Sequence, residues 1–153
     1  MIAVDTNVLV YAHREDSRFH EAACELLTTL AEGASTWSIP WPCVHEFLAI
    51  VTHPRIYSPP TPLTQALDQV DAWLESPTLV LLAESDAHWS TLRSLLVAAR
   101  IEGPQLHDAR IAALCQHHGV RELWSADRDF NRFAGLSCEP FGRQQKQAMS
   151  PTL

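Results

Sequence analysis

The sequence predicts an α/β domain in which a central, mainly parallel sheet lies between two layers of helices. Short runs of apolar and β-branched residues alternate along the chain with segments whose apolar residues recur at helical spacing. This alternation is typical of parallel sheets connected by crossover helices, a three-layer α/β/α architecture. The chain has 153 residues, of which 46% are hydrophobic and 19% charged, so one domain with an ordinary core is expected.

The first half of the chain predicts two strands, each followed by a helix. Ser17 is a suitable N-cap for the first helix, and Gly33 is a stop signal after it. Pro42 favours the first turn of the second helix, which should end before Pro54 and the proline-rich loop that follows. The predicted strands cover residues 2–5 and 36–39, and the predicted helices cover residues 19–30 and 42–53.

The second half predicts three further helices and three further strands. Residues 78–82 are apolar on both faces, which indicates a central strand. Gly119 closes the last helix. Residues 142–153 are polar, so we expect a domain over residues 1–141 and a flexible tail after it. The helices are expected at 64–75, 86–100 and 106–118, and the strands at 78–82 and 122–125, with an edge strand at 136–139.

Composition limits the cellular setting and the class of function. The opening residues lack the basic start of a secretory signal, and the uncharged stretches are too short to span a bilayer, so a cytoplasmic protein without membrane contact is expected. The four cysteines form no C-x-x-C pair and are expected to be free thiols. A net charge of −7 argues against a protein that coats nucleic acid indiscriminately, but not against a nuclease whose acids hold cations.

Four acids occupy the positions where a parallel sheet binds ligands, beyond the carboxyl ends of its strands. Asp5 ends the first predicted strand and Asp127 follows the strand at 122–125, while Glu46 and Asp108 lie near the starts of predicted helices. Each has an ordinary explanation: a turn or cap for Asp5 and Asp127, a solvated helix face for Glu46, and a favourable helix N-terminus for Asp108. Together they would form an oxygen-rich site for Mg²⁺ or Mn²⁺.

Such a site suits phosphodiester hydrolysis. Divalent cations can activate water, neutralise the phosphate and stabilise the leaving oxygen. The sequence has no G-x-x-x-x-G-K-[ST] loop, no G-x-G-x-x-G and no H-E-x-x-H. Nucleotide-binding loops and a zinc-protease helix are therefore not indicated.

Four segments resemble motifs of the PIN-domain ribonuclease toxins of the VapC family, which belong to type II toxin–antitoxin systems. The segments are MIAVDTNVLVYA at the start, PCVHEFLAI around Glu46, LHDARI around Asp108, and WSADRDF around Asp127. The resemblance covers residues 1–140, roughly. The first and last motifs are specific in combination and in this order, whereas the Glu46 motif is weaker alone.

The resemblance implies a PIN-like domain and a metal-dependent endoribonuclease. It implies that Asp5, Glu46, Asp108 and Asp127 are the catalytic and metal-binding residues, with Mg²⁺ or Mn²⁺ as cofactor. The products would carry 5′-phosphate and 3′-hydroxyl ends, and the substrate class would be tRNA or rRNA, cleaved to inhibit translation. A homodimer, a cognate antitoxin and a toxin–antitoxin hetero-oligomer are the implied assemblies.

Further polar residues stand beside these acids. Asn7 and Ser125 are expected to orient the carboxylates or a water, and Asp129 is expected to share the site through water. Arg110 and Arg128 are candidates for contacts to RNA phosphates, with a solvated surface as the ordinary alternative.

Other interpretations stay open. A non-catalytic PIN-like module that binds nucleic acid or protein would lack one of the four acids, and all four are present. A phosphohydrolase would need a second Asp two residues after Asp5, where Asn7 stands. Trp41 is expected in the core, but could stack on an RNA base if exposed. The apolar faces of the helical regions after Asp5 and Pro42 fit an antitoxin groove or core packing equally well.

Overall fold

A computed structural model describes residues 1–140 of the chain, and the predicted tail at 142–153 lies outside the described residues. The described part contains five strands in a single sheet, in the order β3-β2-β1-β4-β5. All four strand pairings are parallel. The strands are β1 Ile2–Val4, β2 Trp37–Pro40, β3 Leu79–Leu82, β4 Glu122–Ser125 and β5 Ser137–Pro140.

Six α-helices connect these strands within residues 1–140 and form the outer layers of the domain. The predicted three-layer α/β/α class with a parallel central sheet is therefore confirmed. The helices are α1 Thr6–His13, α2 His20–Glu32, α3 Trp41–Val51, α4 Leu63–Leu74, α5 His88–Ala99 and α6 Leu106–His117. None of these helices combines the length and the hydrophobicity that crossing a bilayer requires.

The strand order places a topological switch point beside the first strand. From β1 the chain moves outward through β2 to β3, then returns across the sheet to β4 on the other side of β1. Adjacent loops at β1 and β4 therefore leave the carboxyl edge of the sheet in opposite directions. A crevice at such a point is the common ligand-binding position in open α/β sheets.

The core holds α1 and α3 against this edge of the sheet. Trp37 and Phe47 are fully buried, and the Phe47 ring contacts Trp73 at 4.7 Å and His13 at 5.3 Å between centroids. Close packing of large rings fixes the axial position of α3 relative to α1 and α4. The side chains that these helices present at the carboxyl edge are fixed with them.

The structure corrects three details of the sequence-based prediction. Residues 78–82 do not form a central strand: β3 is at the edge, paired with β2, and Val80 is 40% exposed. A short apolar run cannot distinguish a strand buried on both faces from an edge strand partly covered by helices. Trp41, expected in the core, is 36% exposed. The first helix after Asp5, α1, had no predicted bounds because its short run VLVYA has no visible period.

Other expectations agree with the structure. Residues at 136–139 were predicted as an edge strand, and β5 lies at the opposite edge of the sheet from β3. The four cysteines are free thiols. The apolar residues of α1 are largely buried against neighbouring elements, so core packing accounts for much of that face.

Candidate active site

Asp5 stands at the carboxyl end of β1, the middle strand of the sheet, and caps α1. Its backbone is extended, and its Oδ1 accepts the Thr6 backbone N–H at 2.8 Å. The residue is 6% exposed. Burial raises the pKa of the Asp5 carboxyl, although hydrogen bonds from Ser125, Thr6 and Cys43 oppose this effect. A carboxylate at the end of the central strand is thus held in one orientation with little access to water.

Ser125 connects Asp5 to the loop after β4. The Ser125 hydroxyl donates to Asp5 Oδ2 at 2.7 Å and accepts the Asp127 backbone N–H at 3.0 Å. Asn7 completes this link: its amide nitrogen donates to Ser125 Oγ at 3.2 Å, and its amide oxygen accepts the Ala126 N–H at 3.1 Å. These contacts fix the loop that carries Asp127 relative to the first strand.

Thr6 and Cys43 connect Asp5 to the helix that carries Glu46. The Thr6 hydroxyl donates to Glu46 Oε2 at 2.8 Å, while the Cys43 thiol donates to Asp5 Oδ1 at 3.6 Å. Burial raises the pKa of the Cys43 thiol well above its ordinary value, so it is a neutral donor rather than a nucleophile. Sequence reasoning overlooked both residues, since only the fold brings Cys43 next to Asp5.

Asp108, Asp127 and Asp129 form the most compact group of acids in the described part of the chain. One carboxylate oxygen from each lies within 4.8 Å of the other two. Burial raises the pKa of Asp108 to about 6, and the negative charges of Asp127, Asp5, Asp129 and Glu46 add to the effect. Asp129 is paired with Arg132 at 3.4 Å, and a cation would stabilise the remaining negative charge of this cluster.

The four predicted acids line one cavity of about 350 Å³, a size suited to a small ligand. Its remaining wall is largely apolar and aromatic. The acids are Asp5, Glu46, Asp108 and Asp127, and the other wall includes Val10, Tyr11, Ile50, Tyr57 and Ile111. Sequence reasoning did not include Tyr57, because nothing in the proline-rich loop at 54–62 indicates that it folds back over the acids.

The two candidate arginines differ in their surroundings. The Arg110 Nε donates to Glu84 Oε1 at 2.7 Å, so its guanidinium is partly occupied by an ion pair. Arg128 is exposed in the short 3-10 turn that follows Asp127. Asp127 Oδ1 accepts the Asp129 N–H at 2.8 Å and so shapes this turn. Contacts of either arginine to RNA phosphates stay a prediction.

The family model described as PIN domain matches residues 2–136. That match spans the first four strands, all six α-helices and each of the four acids at the cavity. The chain belongs to the PIN-domain family.

Comparison with individual relatives places the chain in a smaller group within this family. The chain is 37% identical over 136 residues to Ribonuclease VapC43 of Mycobacterium tuberculosis, covering 89% of this chain and 92% of the relative. It is 30% identical over 138 residues to Ribonuclease VapC48 of the same organism, covering 90% of this chain and 95% of the relative. Within the PIN-domain family the chain therefore belongs with the VapC ribonucleases, and the resemblance stated from its motifs is confirmed.

Solved structures agree on the fold. VapBC2 from Rickettsia felis, in a complex bound to a DNA fragment from its promoter, matches with a TM-score of 0.67 at 22% identity, covering 91% of this chain and 98% of that one. VapC20 of Mycobacterium tuberculosis, a sarcin-ricin loop cleaving toxin, matches with a TM-score of 0.63 at 15% identity, covering 89% and 98%. At these identities the likeness concerns the fold.

Proposed function

We propose that this chain is a Mg²⁺- or Mn²⁺-dependent endoribonuclease, the toxin of a toxin–antitoxin pair, which hydrolyses phosphodiester bonds in tRNA or rRNA to inhibit translation. One observation carries the proposal. Four acids from four separate segments, Asp5, Glu46, Asp108 and Asp127, line a single cavity beyond the carboxyl ends of the strands. Membership in the VapC ribonuclease group supports the reaction class.

The residues present suit a divalent metal. Carboxylate oxygens are the ligands that Mg²⁺ and Mn²⁺ prefer. The oxygens of Asp108, Asp127 and Asp129 approach one another within 4.8 Å, a spacing that a shared cation would favour. We infer that these three and the neighbouring Asp5 and Glu46 hold the metal. When bound, it would neutralise the scissile phosphate, supply an activated water and stabilise the leaving oxygen.

The protein's own contribution is orientation. Ser125 and Thr6 each bridge two of the proposed ligand-bearing segments, and their donors face carboxylate oxygens. Such contacts fix the carboxylates before substrate arrives. Asn7 acts in the same way through Ser125. We infer that removing Ser125 or Asn7 weakens metal binding without removing a ligand.

The proposed partners follow from the relatives. VapBC2 of Rickettsia felis is a toxin–antitoxin complex, and we propose a cognate antitoxin for this chain as well. VapC20 cleaves the sarcin-ricin loop, which supports a structured RNA as substrate class here. A homodimer and a toxin–antitoxin hetero-oligomer are the proposed assemblies, and the cytoplasm is the proposed location.

The proposal is tested by incubating total RNA with the purified full chain in Mg²⁺, in Mn²⁺ and in EDTA. Asp5→Asn and Asp108→Asn remove one charge each from the cavity at nearly constant volume. Asp71→Asn is the matched control, since Asp71 is an exposed carboxylate on α4 outside the cavity. We expect discrete metal-dependent cleavage by the wild type and the control, with 5′-phosphate ends that a ligase accepts, and a loss of at least 100-fold in both cavity variants.

Two results would contradict the proposal. Cleavage that persists in EDTA, or that survives Asp5→Asn and Asp108→Asn in proteins shown by circular dichroism to be folded, would exclude the acids as the catalytic centre. No cleavage of tRNA or rRNA in either metal would favour the alternative, a non-catalytic PIN-like module. That module would still bind RNA or a protein partner.

A further inference from the structure

The cavity changes in character along the two helices that line it. On α3, Glu46 and Ile50 are four residues apart, and on α1, Asn7 and Tyr11 are also four residues apart. Residues at this spacing share one helix face, so each helix presents a polar group and then, one turn on, an apolar one. Four residues of helix span on the order of 6 Å. The acidic part of the cavity therefore lies roughly 6 Å from its apolar part, about the length of one sugar.

Tyr57 closes this apolar end of the cavity. It lies in the loop after α3, and its backbone N–H donates to the His53 carbonyl oxygen at 3.1 Å. Its side chain is half-buried and lines the same cavity as the acids.

Arg14 contacts the Tyr57 ring from outside the cavity. Its guanidinium carbon lies 4.1 Å from the centroid of the Tyr57 ring, and one guanidinium nitrogen donates to the Pro59 carbonyl oxygen at 3.1 Å. Arg14 does not line the acidic cavity, whereas Tyr57 does. A cation over one ring face holds the ring in place.

The guanidinium of Arg14 is also paired with a carboxylate. Its Nε and a terminal nitrogen donate to the two carboxylate oxygens of Asp16 at 2.9 and 2.6 Å. A bidentate pair of this kind is geometrically rigid. Arg14 is therefore a support for Tyr57 rather than a contact for a substrate phosphate.

His13 anchors the same loop. Its two ring nitrogens contact Gln69 Oε1 and Thr61 Oγ1, each at 3.1 Å, and the Thr61 N–H donates to the Val51 carbonyl oxygen at 2.8 Å. The loop that carries Tyr57 is thus attached to α1 through His13 and to α3 through the Val51 carbonyl oxygen. A ring held this firmly loses little conformational freedom when a ligand packs on it.

We propose that Tyr57 is a substrate-binding residue that stacks on the nucleobase next to the phosphate held at the acids, with Arg14 as its support. The inference rests on the proposed ribonuclease function and deepens it. Every nucleobase has a flat π face, so stacking on an aromatic side chain gives affinity for the base with little dependence on its identity. Single-stranded or unstacked nucleotides, as in RNA loops, fit this arrangement.

The test compares two small probes in Mg²⁺ by NMR titration of the full chain. Adenosine 5′-monophosphate and ribose 5-phosphate share phosphate and sugar, and differ in the base. We expect the wild type to bind the nucleotide about 10-fold more tightly. Tyr57→Leu should abolish the difference, and Tyr57→Phe should keep it. Contacts between adenine protons and the Tyr57 ring in the wild type provide a measurement that needs no variant.

Two controls separate stacking at this ring from other effects. Trp41→Leu removes an exposed aromatic residue outside the cavity, and Ile56→Ala removes the exposed neighbour of Tyr57 in the same loop. Neither should change the preference for the nucleotide. With a cleaved RNA, Tyr57→Leu should raise KM about 10-fold and leave kcat within about 3-fold, because the base contact exists before and during the reaction.

The outcomes distinguish this inference from the proposed function. Equal binding of the two probes by the wild type, or a preference that Trp41→Leu rather than Tyr57→Leu removes, would overturn it. Cleavage of RNA with unchanged KM in Tyr57→Leu would also overturn it and leave the ribonuclease assignment intact. A Tyr57-dependent preference for the nucleotide in a protein that cleaves no RNA would support the base contact and contradict the ribonuclease.

Discussion

Replacing Asp108 by Asn should stabilise the metal-free protein at neutral pH. The pKa of Asp108 is raised to about 6, from an ordinary value of 3.8, chiefly by burial and then by the charges of neighbouring acids. A carboxyl whose pKa is higher in the folded state stabilises the fold fully only below its unfolded pKa. That stability is lost as the pH rises through about 6. An Asn side chain is uncharged at every pH, like the protonated Asp108 carboxyl, and therefore avoids this loss of stability.

The magnitude follows from the two pKa values. The difference between 3.8 and about 6 corresponds to at most about 3 kcal/mol against the ionised form. Asp108 is partly open to solvent at the cavity, and screening reduces this to about 1 kcal/mol. For a chain of this length 1 kcal/mol corresponds to roughly 2–4 °C in Tm. Asp108→Asn should therefore melt about 3 °C higher than the wild type at pH 7.5, with almost no difference at pH 4.

With a divalent metal present, the wild type should melt at a higher temperature than Asp108→Asn. A ligand at 100 times its Kd stabilises the state that binds it by about 2.7 kcal/mol, and Asp108→Asn removes a proposed ligand. Thermal unfolding at pH 7.5 with EDTA and with Mn²⁺ measures both effects, with Asp71→Asn as the control for charge alone. A variant that melts lower than the wild type in EDTA would refute the reasoning, since it would make Asp108 a stabilising structural group.

Three further predictions concern the stability of the fold and the binding of Mn²⁺. Leu82 is fully buried, so Leu82→Ala should lower the free energy of unfolding, measured in urea, by about 2–4 kcal/mol. Val80 lies on the partly open face of the edge strand β3, so Val80→Thr should lower it by less than about 0.5 kcal/mol. Arg100 ends α5 with a φ of 54°, so Arg100→Gly should raise stability by about 1 kcal/mol, seen as a higher Tm. Cys43→Ser should keep the donor to Asp5 and bind Mn²⁺ normally, whereas Cys43→Val should bind it several-fold more weakly by calorimetry, with a folded far-UV spectrum in both.

Much of the fold could be predicted because its signals are local. Gly119, with a φ of 72°, closes α6 as the sequence indicated, and Pro42 lies in the first turn of α3. The place of β3 in the sheet could not be predicted, since a short apolar run does not show what packs on its two faces. For α1, burial on several sides left a short apolar run that fits a strand as well as a helix.

That Asp5 and Asp127 lie close together could also be predicted from a local signal. A residue that directly follows a parallel strand lies at the carboxyl edge wherever that strand sits in the sheet, which is enough for Asp5 and Asp127. The contacts that orient them could not be anticipated. Cys43 reaches Asp5 only because α3 packs beside α1, and Tyr57 reaches the cavity only because the loop after α3 turns back. Both are tertiary relations without a local pattern.

The hydrogen bonds divide the acids into two kinds. Both oxygens of Asp5 already accept donors, from Thr6, Cys43, Ser125 and Asn7, and the residue is buried. Asp127 and Asp129 lie in a short turn after β4 that is more open to solvent. A cation that enters the cavity can therefore recruit the turn by small side-chain rotations, whereas Asp5 would have to exchange an existing donor. Under the proposed function, Asp5 would therefore be the least adaptable ligand, and adjustment to a metal would come from Asp108 and the turn that carries Asp127.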